Sequence, residues 1–306
     1  MVKLLIDTDP GVDDAMAIFY AATDPAIDLV GLTTICGNVP TPMATRNALR
    51  LVEAAGLAIP VAEGAHAPQT IPMFEPAHFV HGDEGFGNMP AETPRGQAID
   101  EPAAEFLVRM AREHKGELVL CPVGPLTNIA AAIRLDPDFA TNCKRMVVMG
   151  GSLRAGGNIT PHAEANIYHD PHAADEVLAS GAEILMIGLD VTDRILCSRG
   201  DFRDLAGKAP RLGGMLAEMS DFYMDFYLDV RGLDGCALHD PAAVIACVAP
   251  ELFTTERVGV AVDLAGETIG RTVEVSDGSR APFAVALDAD LEAVRRRFLD
   301  TVATLP

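Results

Sequence analysis

Four carboxylates lie close together near the start of the chain. The sequence DTDPGVDD over residues 7–14 contains Asp7, Asp9, Asp13 and Asp14. Carboxylates this close repel one another unless protons or a cation compensate. An Asp before a helix is often only a capping residue, but four acids around a Pro-Gly turn favour a metal site. Few His or Cys residues accompany them, so the segment predicts a hard cation with oxygen ligands, calcium or magnesium rather than zinc.

The elements around this segment place it at one edge of a sheet. Apolar runs predict buried strands over 2–7, 28–35, 117–122, 144–149 and 183–188. Helical patterns separate them at 13–22, 41–55, 101–114, 126–134 and 172–180. This alternation predicts an α/β fold, a single domain over 1–306 with a mostly parallel, Rossmann-like central sheet flanked by helices. Ligands of such folds bind at the carboxyl ends of the strands, where the acids lie.

The patterns change after residue 190. They predict helical segments over 200–230 and 240–248, a small antiparallel hairpin over 256–275, a strand over 283–287 and a closing helix over 289–303. Two long segments, 64–100 and 150–170, show no regular pattern. Long loops in a compact domain are usually functional or disordered. The first is therefore interpreted as a flap over a site, and the second as a binding loop.

Other polar residues fall where strands end or helices begin. Asn38 follows the second strand, where an isolated Asn is most often a turn former. A backbone carbonyl in 122–128 can reach a cation, although the same pattern suits a loop before a Pro-started helix. The segment 158–166 contains amides and a carboxylate suited to a sugar, and a polar surface loop explains it equally well. His239 precedes Asp240 at a helix start; such pairs usually cap helices, yet His is the usual general acid near neutral pH.

Composition excludes several classes of partner. The net charge of -21 and the pI near 4.6 argue against nucleic acid and against an anionic membrane. No uncharged apolar run reaches the ~18 residues that a membrane span requires. Six cysteines without CxxC spacing suit reduced, buried thiols. The chain also enters a strand at once, without a signal peptide. We therefore expect a cytoplasmic protein.

The combined segments resemble the nucleoside hydrolase family, in particular its inosine–uridine-preferring type. The match is carried by DTDPGVDDA at 7–15, Gly37-Asn38, His81-Gly82, GPLTN at 124–128, MGG at 149–151, AEAN at 163–166 and HDP at 239–241. The resemblance covers about 7–241 and implies an α/β fold with a mostly parallel sheet. It implies calcium-dependent hydrolysis of the N-glycosidic bond of ribonucleosides to free base and ribose, in nucleoside salvage. It also implies a homodimer or homotetramer.

The resemblance assigns roles to individual residues. It implies that Asp9, Asp14, Asp240 and the Thr127 carbonyl bind calcium, with Asp7 behind them. Asp13, Asn166 and Asp240 would orient the ribose diol, and Asn158 and Glu164 its 5′-hydroxyl. Asn38 and Met149 would line the ribose pocket. Asp9 would take the proton of the attacking water, and His239 would protonate the departing base.

Base preference is less specified by the sequence. Tyr227 and Arg231 match positions upstream of the active-site His in the inosine–uridine-preferring type, although Tyr223 and Tyr227 also suit a core-facing helix stripe. Phe79 and His81 of the flap are candidates to face the base. Ala165 replaces an aromatic residue common in the family. Three alternatives remain: a pyrimidine-preferring hydrolase, a metal-dependent phosphohydrolase using Asp7 and Asp9, and a non-catalytic nucleoside-binding protein.

Overall fold

A nine-stranded sheet forms the centre of the protein. The computed structural model describes residues 1–304. The strands of this sheet are β1 (Val2–Thr8), β2 (Ile27–Thr34), β3 (Val61–Glu63), β4 (Leu118–Pro122), β5 (Arg145–Met149), β6 (Ile184–Ile187), β9 (Phe253–Val262), β10 (Thr272–Val275) and β11 (Phe283–Ala289). A separate two-stranded sheet pairs β7 (Leu196–Cys197) with β8 (Cys236–Ala237). The order in the large sheet is β10-β9-β11-β6-β5-β4-β1-β2-β3.

The sheet is mixed but mostly parallel. Strands β1 to β6 pair in parallel, and β11 runs parallel to β6. Strand β9 is antiparallel to both β11 and β10. The helices are α1 (Val12–Thr23), α2 (Thr41–Ala54), α3 (His78–His81), α4 (Ala103–Glu113), α5 (Thr127–Leu135), α6 (Phe139–Asn142), α7 (Ala165–His169), α8 (Pro171–Leu178), α9 (Leu189–Thr192), α10 (Arg199–Lys208), α11 (Leu212–Arg231), α12 (His239–Val248) and α13 (Leu291–Val302). A single 3₁₀ turn covers Pro250–Leu252.

Helices cover both faces of the sheet and create two cores. Buried residues of α1, α11, α12 and α13 form one apolar cluster. Those of α4, α5 and α8 form another on the opposite face. A strand that helices cover on both faces has all of its side chains buried, so these side chains must be apolar. Strand β4, with the sequence LVLCP, is buried along its whole length in this way. Helix α1 is buried from Val12 to Ala21, so its sequence is apolar on all sides after the two acids.

The chain order creates a crevice beside β1. From β1 the chain adds β2 and β3 on one side, then crosses to add β4, β5 and β6 on the other. Helix α1 packs on one face and α5 on the opposite face. This reversal is the switch point at which open α/β sheets bind ligands. The acidic segment, at the junction of β1 and α1, therefore lies beside that crevice.

The predicted fold class is confirmed. The five predicted parallel strands agree with the structure to within one residue at each end. The predicted hairpin over 256–275 is formed by β9 and β10, which extend the large sheet. The helical region over 200–230 consists of α10 and α11, because Pro210 cannot continue a helix. Short elements β3, β7 and β8 were not predicted. None of the helices in residues 1–304 has the length and apolar character needed to cross a membrane.

Candidate active site

A cavity of about 260 Å³ opens at the carboxyl ends of the central strands. Most of the residues predicted for the site line it: Asp13, Asn38, His81, Met149, Asn158, Glu164, Asn166, Tyr227, Arg231, His239 and Asp240. The other three, Asp9, Asp14 and Thr127, are buried beside it. The structure thus brings together residues that are separated by more than half of the chain.

Asp14 is held by hydrogen bonds at the start of α1. Its carboxylate accepts from the Gly11 amide at 2.9 Å, the Asn38 side-chain amide at 3.1 Å and the Asp9 amide at 3.2 Å. The hydroxyl of Thr8 also donates to it. Asp14 therefore caps α1, and the same bonds fix the orientation of its carboxylate toward the cluster described below.

Asp9 occupies a space that two glycines leave open. Its Oδ2 accepts from the Asn38 amide at 2.7 Å, while its buried Oδ1 has no hydrogen-bond partner among the described residues. A Cβ atom on Gly37 would lie 1.8 Å from Oδ2, and one on Gly124 would lie 2.5 Å from Oδ1. Both approaches are too close for any side chain. The carboxylate is therefore pressed between two loops that follow β2 and β4.

Asp13, Asp14 and Asp240 form a group that suits a metal ion. Each offers one carboxylate oxygen, and these oxygens lie within 4.8 Å of one another. Burial raises the pKa of Asp13 and of Asp240 well above the usual value, and repulsion between the acids raises it further. The Oδ1 atom of Asp13, like that of Asp9, is buried and has no hydrogen-bond partner within residues 1–304. Unsatisfied, mutually repelling oxygens fit a hard cation.

This group differs in one member from the predicted metal ligands. Asp13 belongs to it, whereas Asp9 does not. Asp9 nevertheless lies close to this group. Burial and the negative charges of Asp14 and Asp13 together raise the pKa of Asp9 well above its usual value. That Asp9 binds the metal and Asp13 the ribose stays a prediction.

Behind the cluster, a hydrogen-bond network ties the strand ends together. The Thr127 hydroxyl donates to Asp170 at 2.8 Å. The next residue, Asn128, donates to Asp7 at 2.8 Å and to the Thr34 carbonyl at 2.9 Å. Burial raises the pKa of Asp7 to about 7, although bonds from Thr33 and Asn128 oppose the shift. Asn128, which sequence reasoning did not single out, thus joins the ends of β1 and β2 to the start of α5.

Backbone amides of the predicted binding loop, residues 150–170, donate hydrogen bonds to the polar side chains of the same loop. Glu164 accepts from the amides of Gly151, Asn166 and Ile167 at 2.9–3.1 Å, and it caps α7. The Asn158 side chain accepts from the Ala165 amide at 2.9 Å. The Asn166 side-chain amide donates to the Val123 carbonyl at 2.8 Å, so this side chain spans the crevice between the loop and the end of β4. These bonds place the polar side chains along one wall of the cavity.

Another wall of the cavity is built around His239. Its Nε2 lies 2.7 Å from the Tyr227 hydroxyl, and its Nδ1 lies 2.8 Å from the Thr192 hydroxyl. Burial lowers the pKa of His239 to about 4, while the Asp193 carboxylate, 4.0 Å from Nε2, opposes this shift. Asp193 also binds both terminal nitrogens of Arg231, at 2.7 and 2.8 Å. Arg231 therefore reaches His239 through Asp193.

Aromatic rings from the flap and from α11 line a further part of the cavity. His81 of the flap accepts from the Val12 amide at 3.2 Å through Nδ1 and stacks on Tyr223. Burial lowers the pKa of His81 to about 3, so its imidazole is neutral. Phe79 is 67% exposed and meets Phe226 edge-on, with ring centroids 5.7 Å apart. A flat, apolar group would find contacts here.

Three residues at this end of the cavity were missed by sequence reasoning. Thr192 and Asp193 follow β6, so the rule applied to the other strand ends would have included them. Phe226 precedes Tyr227 on α11 and lines the cavity with it. The structure also shows that the Tyr223 and Tyr227 stripe is both buried in the core and part of the cavity lining.

Comparison with known proteins agrees with this geometry. Residues 4–296 match the family described as inosine-uridine preferring nucleoside hydrolase. A protein named probable uridine nucleosidase 2 of Arabidopsis thaliana is 42% identical over 310 residues, which cover 97% of this chain and 96% of that protein. A plant nucleoside hydrolase structure, the PpNRh1 enzyme, superposes with a TM-score of 0.96 at 38% identity and covers 99% of both chains.

A bacterial structure is also similar. The purine-preferring ribonucleoside hydrolase from Gardnerella vaginalis has a TM-score of 0.94 at 36% identity, with 98% of both chains covered. These likenesses extend over almost the entire chain, including both walls of the cavity. The chain therefore belongs to the inosine–uridine preferring nucleoside hydrolase family and is a hydrolase that acts on N-glycosyl compounds.

Proposed function

We propose that this enzyme hydrolyses uridine and inosine to ribose and free base in a calcium-dependent reaction. The observation that supports it best is one cavity with unpaired acidic oxygens on one wall and the His239–Tyr227 pair on the other. Uridine comes first because the Arabidopsis relative is named for it. Inosine remains beside it because the Gardnerella relative, at a similar identity, is named purine-preferring.

The acidic wall would bind the cation and the ribose. Asp9, Asp14, Asp240 and the Thr127 carbonyl would hold calcium, whose preferred ligands are oxygen atoms. When bound, the ion acidifies water and binds hydroxyl groups of the sugar. Asp13 and Asn166 would orient the ribose diol, Asn158 and Glu164 would face its 5′ end, and Asn38 and Met149 would line the pocket.

The residues of the chain divide the proton transfers between the two walls. The unpaired Oδ1 of Asp9 would accept the proton of the water that attacks C1′. The C1′–N bond breaks with its electrons moving to the base, and His239 would supply the proton that the base nitrogen needs. Since burial lowers the pKa of His239 to about 4, the imidazole must first take up this proton from the medium. Positive charge grows on the ribose ring meanwhile, and the surrounding carboxylates stabilise it electrostatically. Tyr227 and Arg231 would hold His239 and the base.

Two variants and a chelator test this function. We expect free base and ribose from uridine, loss of release after chelation, and recovery with calcium. Asp9→Ala should abolish turnover, and wild-type activity in this variant would contradict the mechanism. His239→Ala should slow uridine far more than p-nitrophenyl riboside, whose leaving group needs no proton. Equal losses on both substrates would contradict the assignment of His239.

The same assays separate the competing functions. Phosphate release from nucleotides without base release would favour a phosphohydrolase. The position of Asp7 argues against it, since this residue is fully buried and bonded to Thr33 and Asn128. Tight nucleoside binding without turnover would favour a binding protein instead.

Several broader features belong to the proposal. A salvage role follows from the products, which other enzymes can reuse. A reducing compartment such as the cytoplasm suits six cysteines that are all buried thiols. A homodimer or homotetramer and the single-domain extent over 1–306 are carried by the family resemblance. Sedimentation and limited proteolysis would test these two features.

A further inference from the structure

Thr192 contacts His239 on the side away from Tyr227. It is the last residue of α9, a short helix that follows β6, and its side chain is fully buried. Its hydroxyl lies 2.8 Å from Nδ1 of His239. The Thr192 amide bonds to the Gly188 carbonyl at 3.1 Å, so the backbone at this position is also held. The contact is therefore between two well-fixed groups.

The His239 ring is consequently held from both sides by hydroxyl groups. Tyr227, on α11, lies 2.7 Å from Nε2, and Thr192, on α9, lies 2.8 Å from Nδ1. Each hydroxyl can rotate to donate or to accept a hydrogen bond. The N–H or lone pair of each ring nitrogen, in contrast, points in one fixed direction in the plane of the ring. Rotation of the ring about its Cβ–Cγ bond would break both hydrogen bonds. Without Thr192, one bond at one end of the ring would remain.

We propose that Thr192 is a positioning residue for protonation of the departing base. Its hydroxyl keeps the imidazole plane fixed so that Nε2 and the Tyr227 hydroxyl face the cavity. As the C1′–N electrons move to the base, protonated His239 passes a proton from Nε2 through the Tyr227 hydroxyl to the base nitrogen, which leaves the imidazole neutral. Thr192 itself exchanges no proton with the substrate. The proposal rests on the role of His239 stated above.

Isosteric replacement isolates the hydroxyl. Thr192→Val keeps the branched shape and removes the hydrogen bond, and Thr192→Ser keeps the hydroxyl. Thr45→Val is a matched control, because Thr45 is a buried threonine whose hydroxyl lies 2.7 Å from that of Thr34, outside the cavity lining. Each variant is assayed with calcium on uridine and on p-nitrophenyl riboside, with thermal melting of every protein.

Thr192→Val should lower kcat for uridine by about 10- to 100-fold, a part of what a general acid contributes. Its kcat for p-nitrophenyl riboside should change by less than about threefold, and KM for uridine should stay within the same factor, because the ribose contacts are untouched. Thr192→Ser should restore most of the uridine rate. Thr45→Val should affect neither substrate.

Three results would overturn the proposal: equal losses on both substrates, an unchanged uridine rate, or no recovery in the serine variant. If Thr192→Val does not fold, Thr192→Ala and Thr192→Ser make the same comparison. His239→Ala separates this proposal from the proposed function. A selective loss in His239→Ala with a neutral Thr192→Val refutes only the role of Thr192, whereas equal losses on both substrates in His239→Ala refute the role on which it rests.

Discussion

The acidic cluster should destabilise the protein when no cation is bound, and Asp240→Asn tests this. Oxygens of Asp240, Asp13 and Asp14 lie within 4.8 Å of one another. Two unit charges at that distance repel by about 3.5 kcal/mol at an effective dielectric constant of ~20. Protonation already relieves part of this repulsion, since the pKa of Asp240 is raised by burial and by its acidic neighbours. We therefore expect Asp240→Asn to raise the free energy of unfolding by about 1–3 kcal/mol.

Asp24→Asn is the matched control, with the opposite sign. Asp24 is also buried, but it accepts hydrogen bonds from the Tyr20 hydroxyl at 2.5 Å, the Ala26 amide at 2.9 Å and Arg297 at 2.9 Å. The amide cannot satisfy all of these donors. The substitution should lower the free energy of unfolding by about 1–3 kcal/mol. The same substitution, Asp to Asn, would thus change the free energy of unfolding in opposite directions at these two buried sites.

Urea unfolding in chelator and in excess calcium measures both effects. In chelator, Asp240→Asn should unfold at higher urea than the wild type, and Asp24→Asn at lower urea. Calcium at 100 times its Kd should stabilise the wild type by about 2.7 kcal/mol and Asp24→Asn equally, while Asp240→Asn should gain far less. The reasoning is refuted if Asp240→Asn loses stability in chelator as Asp24→Asn does, or if calcium stabilises all three proteins alike.

Three further predictions each concern one residue. Bonds from its neighbours outweigh burial and lower the pKa of Asp24, so the stability it contributes should be complete above about pH 4 and disappear as pH falls below it. Urea unfolding from about pH 3 to pH 7 should show the wild type approaching Asp24→Asn only at the acid end. Gly37→Ala would place Cβ 1.8 Å from Asp9 Oδ2, which should weaken calcium binding in calorimetry and lower kcat by about 100-fold. Gly207→Ala, with open space around its Cβ position, should do neither. Phe79→Ala should raise KM for uridine about threefold and change stability by less than about 0.5 kcal/mol, because Phe79 is largely exposed; a lower kcat with unchanged KM would contradict its place in binding.

The strands and the acidic segment were predictable because their signals are local. A strand covered on both faces is apolar where it is buried, so β4 stands out as an uninterrupted apolar run and β1 through its segment 4–6. The acids after β1 needed no knowledge of distant residues. Their meeting with Asp240, more than 200 residues later, is a tertiary contact that periodicity does not encode. The motif resemblance supplied it instead.

Other parts of the site depend on long-range bonds that local patterns do not carry. Strands β7 and β8 contain two residues each, too few to show an alternation. The flap is fastened by Asn47, which donates to the carbonyls of both Glu84 and Pro10. Thr192 follows β6 between Asp190 and Asp193, and a threonine beside acids is an ordinary sequence for the start or end of a helix. Its importance comes from one contact to His239, which only the folded chain displays.

The topology explains how the fold tolerates its acids. Helices α1 and α12 pack on the same face of the sheet and carry Asp13, Asp14 and Asp240 in their first turns. Helix amino termini favour negative charge, so each helix offsets part of the repulsion it introduces. Apart from Val123, Met149, Tyr223 and Tyr227, the buried members of the two apolar clusters lie outside the cavity lining. The metal-free protein should therefore fold. A bound cation would relieve the repulsion between the carboxylates of the cluster, and this relief should contribute to the affinity for the cation.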